Sequence, residues 1–163
     1  PDFVAKSFDS PVIATFAPAI RALRETNAKE KGIKLIVSGG FFSGENIFKA
    51  IALGADAICL DNAARIAIGC KLCGKCYEGR CEEGIATLDP LLEARLDWKK
   101  AGRKLANYIE IINKEIKVLT ALAGKKSIKE LDRSILRALN YDTAAITGIP
   151  LLGYEKELPM WLH

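Results

Sequence analysis

The sequence contains no glutamine, one methionine and one histidine, and that histidine is the final residue, His163. A cysteine–histidine nucleophilic pair therefore has no support. No apolar run is long enough to cross a membrane, and no secretory signal is present. There is no concentrated basic patch either. The 24 Lys and Arg residues alternate with 20 Asp and Glu, leaving a net charge of +4 and no case for nucleic-acid binding. Internal repeats and low-complexity segments are missing. The lack of glutamine, beside abundant Lys, Glu and Ile, points toward a thermophilic source. The sequence begins at Pro1 and not at methionine, so we expect a piece of something longer. With 163 residues, 50% of them hydrophobic, it is large enough for one domain with a real core.

What is present in excess is cysteine in one place. Four of the five cysteines fall between Cys70 and Cys81, in the spacing C-x2-C-x2-C-x4-C. Without Cys73 the spacing is C-x5-C-x4-C. A tight run of this kind lets one loop wrap a compact cluster with several thiolates turned inward. Skipping the middle cysteine leaves three ligands, which suits a cluster lacking one iron. Gly74 and Gly79 allow sharp bends that bring N–H groups near sulfur. Lys71, Lys75 and Arg80 could offset thiolate charge, against Glu78, Glu82 and Glu83. An iron–sulfur cluster is the favoured reading. A structural zinc site competes, although zinc sites usually use two separated cysteine pairs. A loop of free or oxidised thiols is the third reading. Clustered cysteines without a secretory signal place the chain in a reducing cytoplasm.

Around that loop the chain reads as α/β before it and helical after it. Val12 to Phe16 is a short strand or packed loop. A helix is expected from Ala17 to Lys31, with Pro18 in its first turn and Gly32 at its end. Ile33 to Val37 is a buried strand, Gly44 to Leu53 a helix, and Ala55 to Leu60 a second buried strand. Asp61 or Asn62 caps a short helix from Ala63 to Gly69. This order implies parallel strands with a right-handed crossover. Asp89-Pro90 opens a long amphipathic helix reaching Ala123, with a break near Gly102. One side of it carries Trp98, Leu105, Tyr108, Ile109, Ile112, Ile116, Leu119 and Leu122. Ser127-x-x-Glu130 is read as a capping box opening a helix to Leu139. Asn140 to His163 reads as loop, with Met160 and Trp161 docking on something apolar. Three regions follow: residues 1–69, the cysteine loop 70–89, and a helical extension 90–163.

Ser38-Gly39-Gly40 lies at the C-terminal end of the first parallel strand, where glycines let backbone amides approach a phosphate. Asp61-Asn62 ends the second strand before a helix N-terminus. The plain alternative is that Gly39-Gly40 is only a turn, and Asp61 would set like charge beside a phosphate.

Taken together, Ile36 to Gly40, Gly54 to Ala57, Asn62 to Cys70 and Gly84 to Pro90 resemble the end of the FMN-binding domain of glutamate synthase. The most specific part is C-x5-C-x4-C followed by G-I-A-T-x-D-P, and the likeness covers roughly residues 30–140. The resemblance implies a partial (β/α)8 barrel: its last two parallel strands with their helices, then the cluster loop and a mostly helical region. It implies that Cys70, Cys76 and Cys81 hold a three-iron, four-sulfur cluster. It also implies that Ser38, Gly39, Gly40, Asp61 and Asn62 lie at the FMN site, with Gly39 and Gly40 on the phosphate. The sequence departs from the family in having the extra Cys73, whose ligation would make a four-iron, four-sulfur cluster. It departs again with Asp61-Asn62 in place of Gly-Thr, and Ser38 in place of an acidic residue.

Two functions follow from the resemblance. In the first, the chain is part of an oxidoreductase in which cluster and FMN exchange electrons to form glutamate from 2-oxoglutarate and glutamine-derived ammonia. Its partners are the rest of the synthase chain and an electron donor such as ferredoxin or an NADPH-linked subunit, and the piece alone lacks activity. In the second, the chain is a non-enzymatic electron-transfer or structural metal module acting with a partner. Isolated strands would expose edges and one face. We therefore expect the long helix to cover part of that surface, or the chains to form a homodimer.

Overall fold

The structure is a computed structural model that describes residues 12–154. Strand β1 (Ile36–Ser38) pairs in parallel with β2 (Ala57–Cys59), with Ile36 opposite Ala57, Val37 opposite Ile58 and Ser38 opposite Cys59. Helix α2 (Gly44–Leu53) makes the crossover. Ser43 caps it by accepting from the Asn46 N–H at 3.3 Å, and Gly54 ends it at φ 126°. The strands are shorter than expected because a side chain replaces a ladder bond. The Leu35 N–H donates to the Asp56 carboxylate at 2.8 Å, while the Leu35 carbonyl accepts from the Asp56 and Ala57 N–H groups.

Alternation sorts the two faces of this pair. Val37 and Ile58 turn toward α2, whereas Ile36, Ser38, Ala57 and Cys59 are exposed, Ile36 at 68%. Among the described residues this is the one sheet, with two strands. The described residues are therefore an α/β arrangement whose two strands do not close a barrel.

Helix α1 (Val12–Glu25) corrects the expectation of a strand or loop at Val12 to Phe16. Val12, Phe16 and Ile20 recur every four residues, and all three pack with Val37, Ala50 and Leu53. A four-residue apolar repeat is helical, and it outweighs the hydrogen bond forfeited at Pro18, which lies inside the helix and not in its first turn. The helix ends at Glu25 and not at Lys31; turns follow, with Asn27 at φ 50°. Helix α3 (Asp61–Ala67) begins two residues earlier than expected, and its N-cap residue, Leu60, makes no side-chain cap bond. Asp61 and Asn62 turn instead to Arg65.

Asp89 and Pro90 do open a helix, but α4 (Pro90–Glu93) is a single turn. Asp97 then caps α5 (Trp98–Leu122) by accepting from the Lys100 N–H at 2.9 Å. The break therefore falls at the second aspartate cap, and Gly102 lies within α5. Ile112 and Ile116 of α5 pack with Ile47 of α2, flanked by Ile58, Leu60 and Tyr108. At the ends of the stripe Trp98 and Leu122 are exposed, at 70% and 78%. The long helix covers the helix-bearing side of the strand pair and leaves Ile36, Ala57 and Cys59 open.

The helix expected from Ile128 to Leu139 is replaced by two 3-10 turns, Ile128–Glu130 and Arg133–Ile135. Ser127 accepts from the Lys129 N–H, one residue short of a capping box, and Asp132 caps the second turn. Leu131 is thereby buried against Phe48 and Ala52. Residues expected as loop instead form α6 (Tyr141–Thr147), capped by Asn140, and Leu151 bridges Ala138 in parallel. Met160 and Trp161 lie outside the described residues. No helix among the described residues is long and apolar enough to cross a membrane.

Candidate functional site

The cysteine loop leaves α3 through Cys70, whose N–H donates to the Arg65 carbonyl at 2.9 Å. The Leu72 N–H, at a residue with φ 54°, donates to the Cys70 sulfur at 3.3 Å. A 3-10 turn, Lys75–Glu78, carries Cys76 between Gly74 and Gly79, both left-handed. The chain then folds back under itself. Thr87 Oγ1 donates to the Gly79 carbonyl at 2.7 Å and accepts from the Asp89 N–H at 3.1 Å. Gly84 lies against the end of α4, where an added Cβ would stand 2.4 Å from the Leu92 carbonyl oxygen. The segment Gly84 to Pro90 is thus a strap that closes the cysteine loop.

The strap shapes the environment of Cys81, which is buried with 5% exposure. Its thiol is held below the ordinary cysteine range, chiefly by the Ala86 N–H. Burial opposes this, and the Ile85 and Glu83 N–H groups add to it. Cys70 and Cys76 are half-buried and Cys73 is exposed. All five cysteines are free thiols. Among the described residues no group of three Cys, His, Asp or Glu side chains is gathered to hold a metal ion. The loop nevertheless fits a thiolate-ligated group by its chemistry: four thiols with no imidazole, and an N–H donor on the Cys70 sulfur. Lys71 pairs with Glu83 and Lys75 with Glu82, so these lysines answer carboxylates within the loop.

At the C-terminal edge of the strand pair, Gly39, Gly40, Cys59, Asp61 and Asn62 line one small cavity of about 20 Å³. Gly39 and Gly40 both have positive φ, 110° and 71°, which requires glycine there. Ser38 ends β1 beside them, opposite Cys59. Arg65 ties down the other half: it pairs with Asp61 at 3.3 Å and donates to Asn62 Oδ1. Arg65 thereby offsets the negative charge at Asp61. The structure brings together the glycine turn and Asp61-Asn62.

Sequence reasoning missed Arg65, Thr87, Tyr108 and Glu115. Arg65 was legible, since it stands four residues after Asp61 on a helix. Thr87 lay within a recognised motif without a role. Tyr108 was read only as part of the apolar side of the long helix, and Glu115 carried no sequence signal, because their partners are 66 and 71 residues away.

The family described as the conserved region in glutamate synthase matches residues 1–126. An archaeal glutamate synthase (NADPH) of Methanocaldococcus jannaschii is 42% identical over 147 residues, covering 88% of this chain and 29% of that protein. A glutamate synthase large subunit-like protein of Rhizobium meliloti is 34% identical over 93% of this chain and 38% of its own length. An archaeal-type glutamate synthase (NADPH) of Thermotoga neapolitana is 36% identical over 84% of this chain and 26% of its own length. The chain therefore spans 26% to 38% of the length of these relatives. No solved structure matches it. With residues 1–126 matched by the family and 88% of the chain aligned to a relative at 42% identity, the chain belongs to the glutamate synthase family.

Proposed function

We propose that this chain is the part of a glutamate-synthase-like oxidoreductase that holds an iron–sulfur cluster on Cys70, Cys76 and Cys81 and seats the FMN phosphate on Gly39-Gly40. The observation that carries the reading is the fold of the cysteine loop, in which the Leu72 N–H donates to the Cys70 sulfur at 3.3 Å and the strap fixed by Thr87 leaves Cys81 buried. Such donors stabilise a thiolate and tune the potential of a cluster ligated by it. When bound, the cluster and FMN supply the electron transfer for reductive formation of glutamate from 2-oxoglutarate and glutamine-derived ammonia. The residues of this chain have three tasks. The strap shields the Cys81 sulfur and lowers the pKa of its thiol. Exposed glycine amides offer donors to a phosphate, and Arg65 offsets Asp61 beside them. Substrate-binding residues and the remaining barrel strands belong to the rest of the enzyme. The electron donor is a ferredoxin or an NADPH-linked partner.

The test is an iron and sulfide count with EPR on anaerobically isolated protein. A signal in the oxidised state that vanishes on reduction is expected for a three-iron cluster with Cys73 passive. A signal only on reduction means four irons and Cys73 as a ligand. Zinc in place of iron, or all five thiols titratable with no metal, refutes the electron-transfer role.

A second reading is a non-enzymatic electron-transfer or structural metal module working with a partner. It is favoured by the two-stranded sheet, which cannot enclose a flavin by itself. Iron without flavin in the full-length protein would support it; bound FMN would refute it.

A further inference from the structure

Helix α5 touches the glycine loop through two polar side chains that the reading above leaves unused. Tyr108 donates its hydroxyl to the Phe42 carbonyl at 2.9 Å. About two turns further on, Glu115 accepts the Gly44 N–H at 2.6 Å. Phe42 follows Gly39-Gly40-Phe41 directly, and Gly44 is the first residue of α2. Both ends of the turn after Gly40 are therefore pinned to one rigid 25-residue helix. Gly44 is tightly held: an added Cβ would stand 2.5 Å from Glu115 Cβ and 2.8 Å from the Ile112 carbonyl oxygen. Tyr108 remains a neutral donor, because burial and the Glu115 charge both raise its pKa.

We infer that Tyr108 and Glu115 are positioning residues that hold the Gly39–Gly44 loop in its anion-receiving shape. The inference rests on the FMN-phosphate reading of Gly39-Gly40. Phe41 packs on two core clusters, but Gly39 and Gly40 adopt backbone shapes that a free glycine samples among many, so the polar contacts to α5 select among them. Glu115 also fills the anion-attracting start of α2. An incoming phosphate is thereby directed to the glycine amides and not to the helix terminus, where Ser43 already takes the Asn46 N–H.

The test uses the full-length enzyme with Tyr108→Phe, Glu115→Ala and Glu115→Gln. Gln keeps an acceptor for the Gly44 N–H, so it is the conservative rescue. FMN affinity is read by flavin fluorescence, the cluster by iron content and EPR, and the loop by amide hydrogen exchange. We expect Tyr108→Phe and Glu115→Ala to weaken FMN binding about tenfold each, a typical effect for one lost hydrogen bond at a site. Glu115→Gln should recover most of that loss. Iron content and EPR should stay at the wild-type level, and amides 39–44 should exchange faster while those of β1 and β2 do not. Unchanged exchange at 39–44 overturns the inference whether or not FMN binds. Equal loss of iron and flavin also overturns it, because that marks general unfolding. If the wild-type protein binds no FMN but exchange at 39–44 still rises, the clamp stands and the flavin reading falls.

Discussion

Replacing Gly84 by alanine isolates the strap from the rest of the fold. Gly84 has φ 72°, a left-handed shape that costs an alanine about 1–2 kcal/mol. Its Cβ would also stand 2.4 Å from the Leu92 carbonyl oxygen, 3.1 Å from that of Glu93 and 3.2 Å from Leu96 Cβ. Two of these are backbone atoms, so the strap must shift, at an overpacking cost of about 1–3 kcal/mol. The total of about 2–5 kcal/mol lowers Tm by about 4–20 °C for a chain of this size. Gly79 supplies the control. It shares the left-handed shape, at φ 67°, but an added Cβ there meets nothing within 4 Å. Gly79→Ala should therefore show only the backbone cost, about 1–2 kcal/mol. Because the Gly84 shift displaces the strap beside the buried Cys81, it should also lower the iron bound per chain. Thermal melts and iron analysis of the two variants, made anaerobically, decide the matter. Equal melting and equal iron in Gly84→Ala and Gly79→Ala would refute the claim that the strap builds the Cys81 environment.

Three further outcomes follow from the same geometry. Cys81→Ser should abolish bound iron, whereas Cys73→Ser should leave a three-iron EPR signal, since Cys73 is exposed and Cys81 buried; iron loss in both would make Cys73 a ligand. Asp56 is held below the ordinary carboxylate range, first by the Leu35 N–H and then, against burial, by Lys29 and Lys34. Its folded pKa is depressed, so the stability it adds is present above about pH 4 and is lost as pH falls through the folded value. Asp56→Asn should accordingly lower Tm at pH 7, with the difference from wild type shrinking below pH 4; a constant difference would refute the linkage. Asp61→Asn removes a negative charge from the cavity edge. We expect FMN to bind a few-fold more tightly, in line with about 1 kcal/mol between nearby charges in a largely aqueous setting; weaker binding would show that Asp61 serves the ligand directly.

How much of this was legible in the sequence depends on the range of the interaction that decides each element. Helix α2 and the parallel pair were legible because Ser43, Gly54 and the apolar runs are local signals. Asp89-Pro90 was read correctly as a helix start, but Asp97 went unnoticed as a second cap, so two helices were read as one. Ser127 and Glu130 have capping-box spacing, yet burial of Leu131 against Phe48 and Ala52 draws the chain into tight turns. Val12 to Phe16 looked like a strand because it is short and β-branched. Its four-residue repeat becomes visible only when Ile20 is counted with it. The glycine turn and the cysteine spacing were visible at once, whereas the clamp from α5 was invisible because it joins residues far apart in sequence.

That difference in range bears on the order in which the two regions mature during synthesis. The strap beside Cys81 is fastened by Thr87 and packs against residues up to Leu96. The Cys81 surroundings can therefore form while the remainder of the chain is still being made. The loop at Gly39-Gly40 is translated earlier but waits longer, because its fasteners at Tyr108 and Glu115 come 66 and 71 residues after the groups they hold. The sulfur-rich loop acquires its surroundings first, and the glycine loop emerges first yet is fixed last.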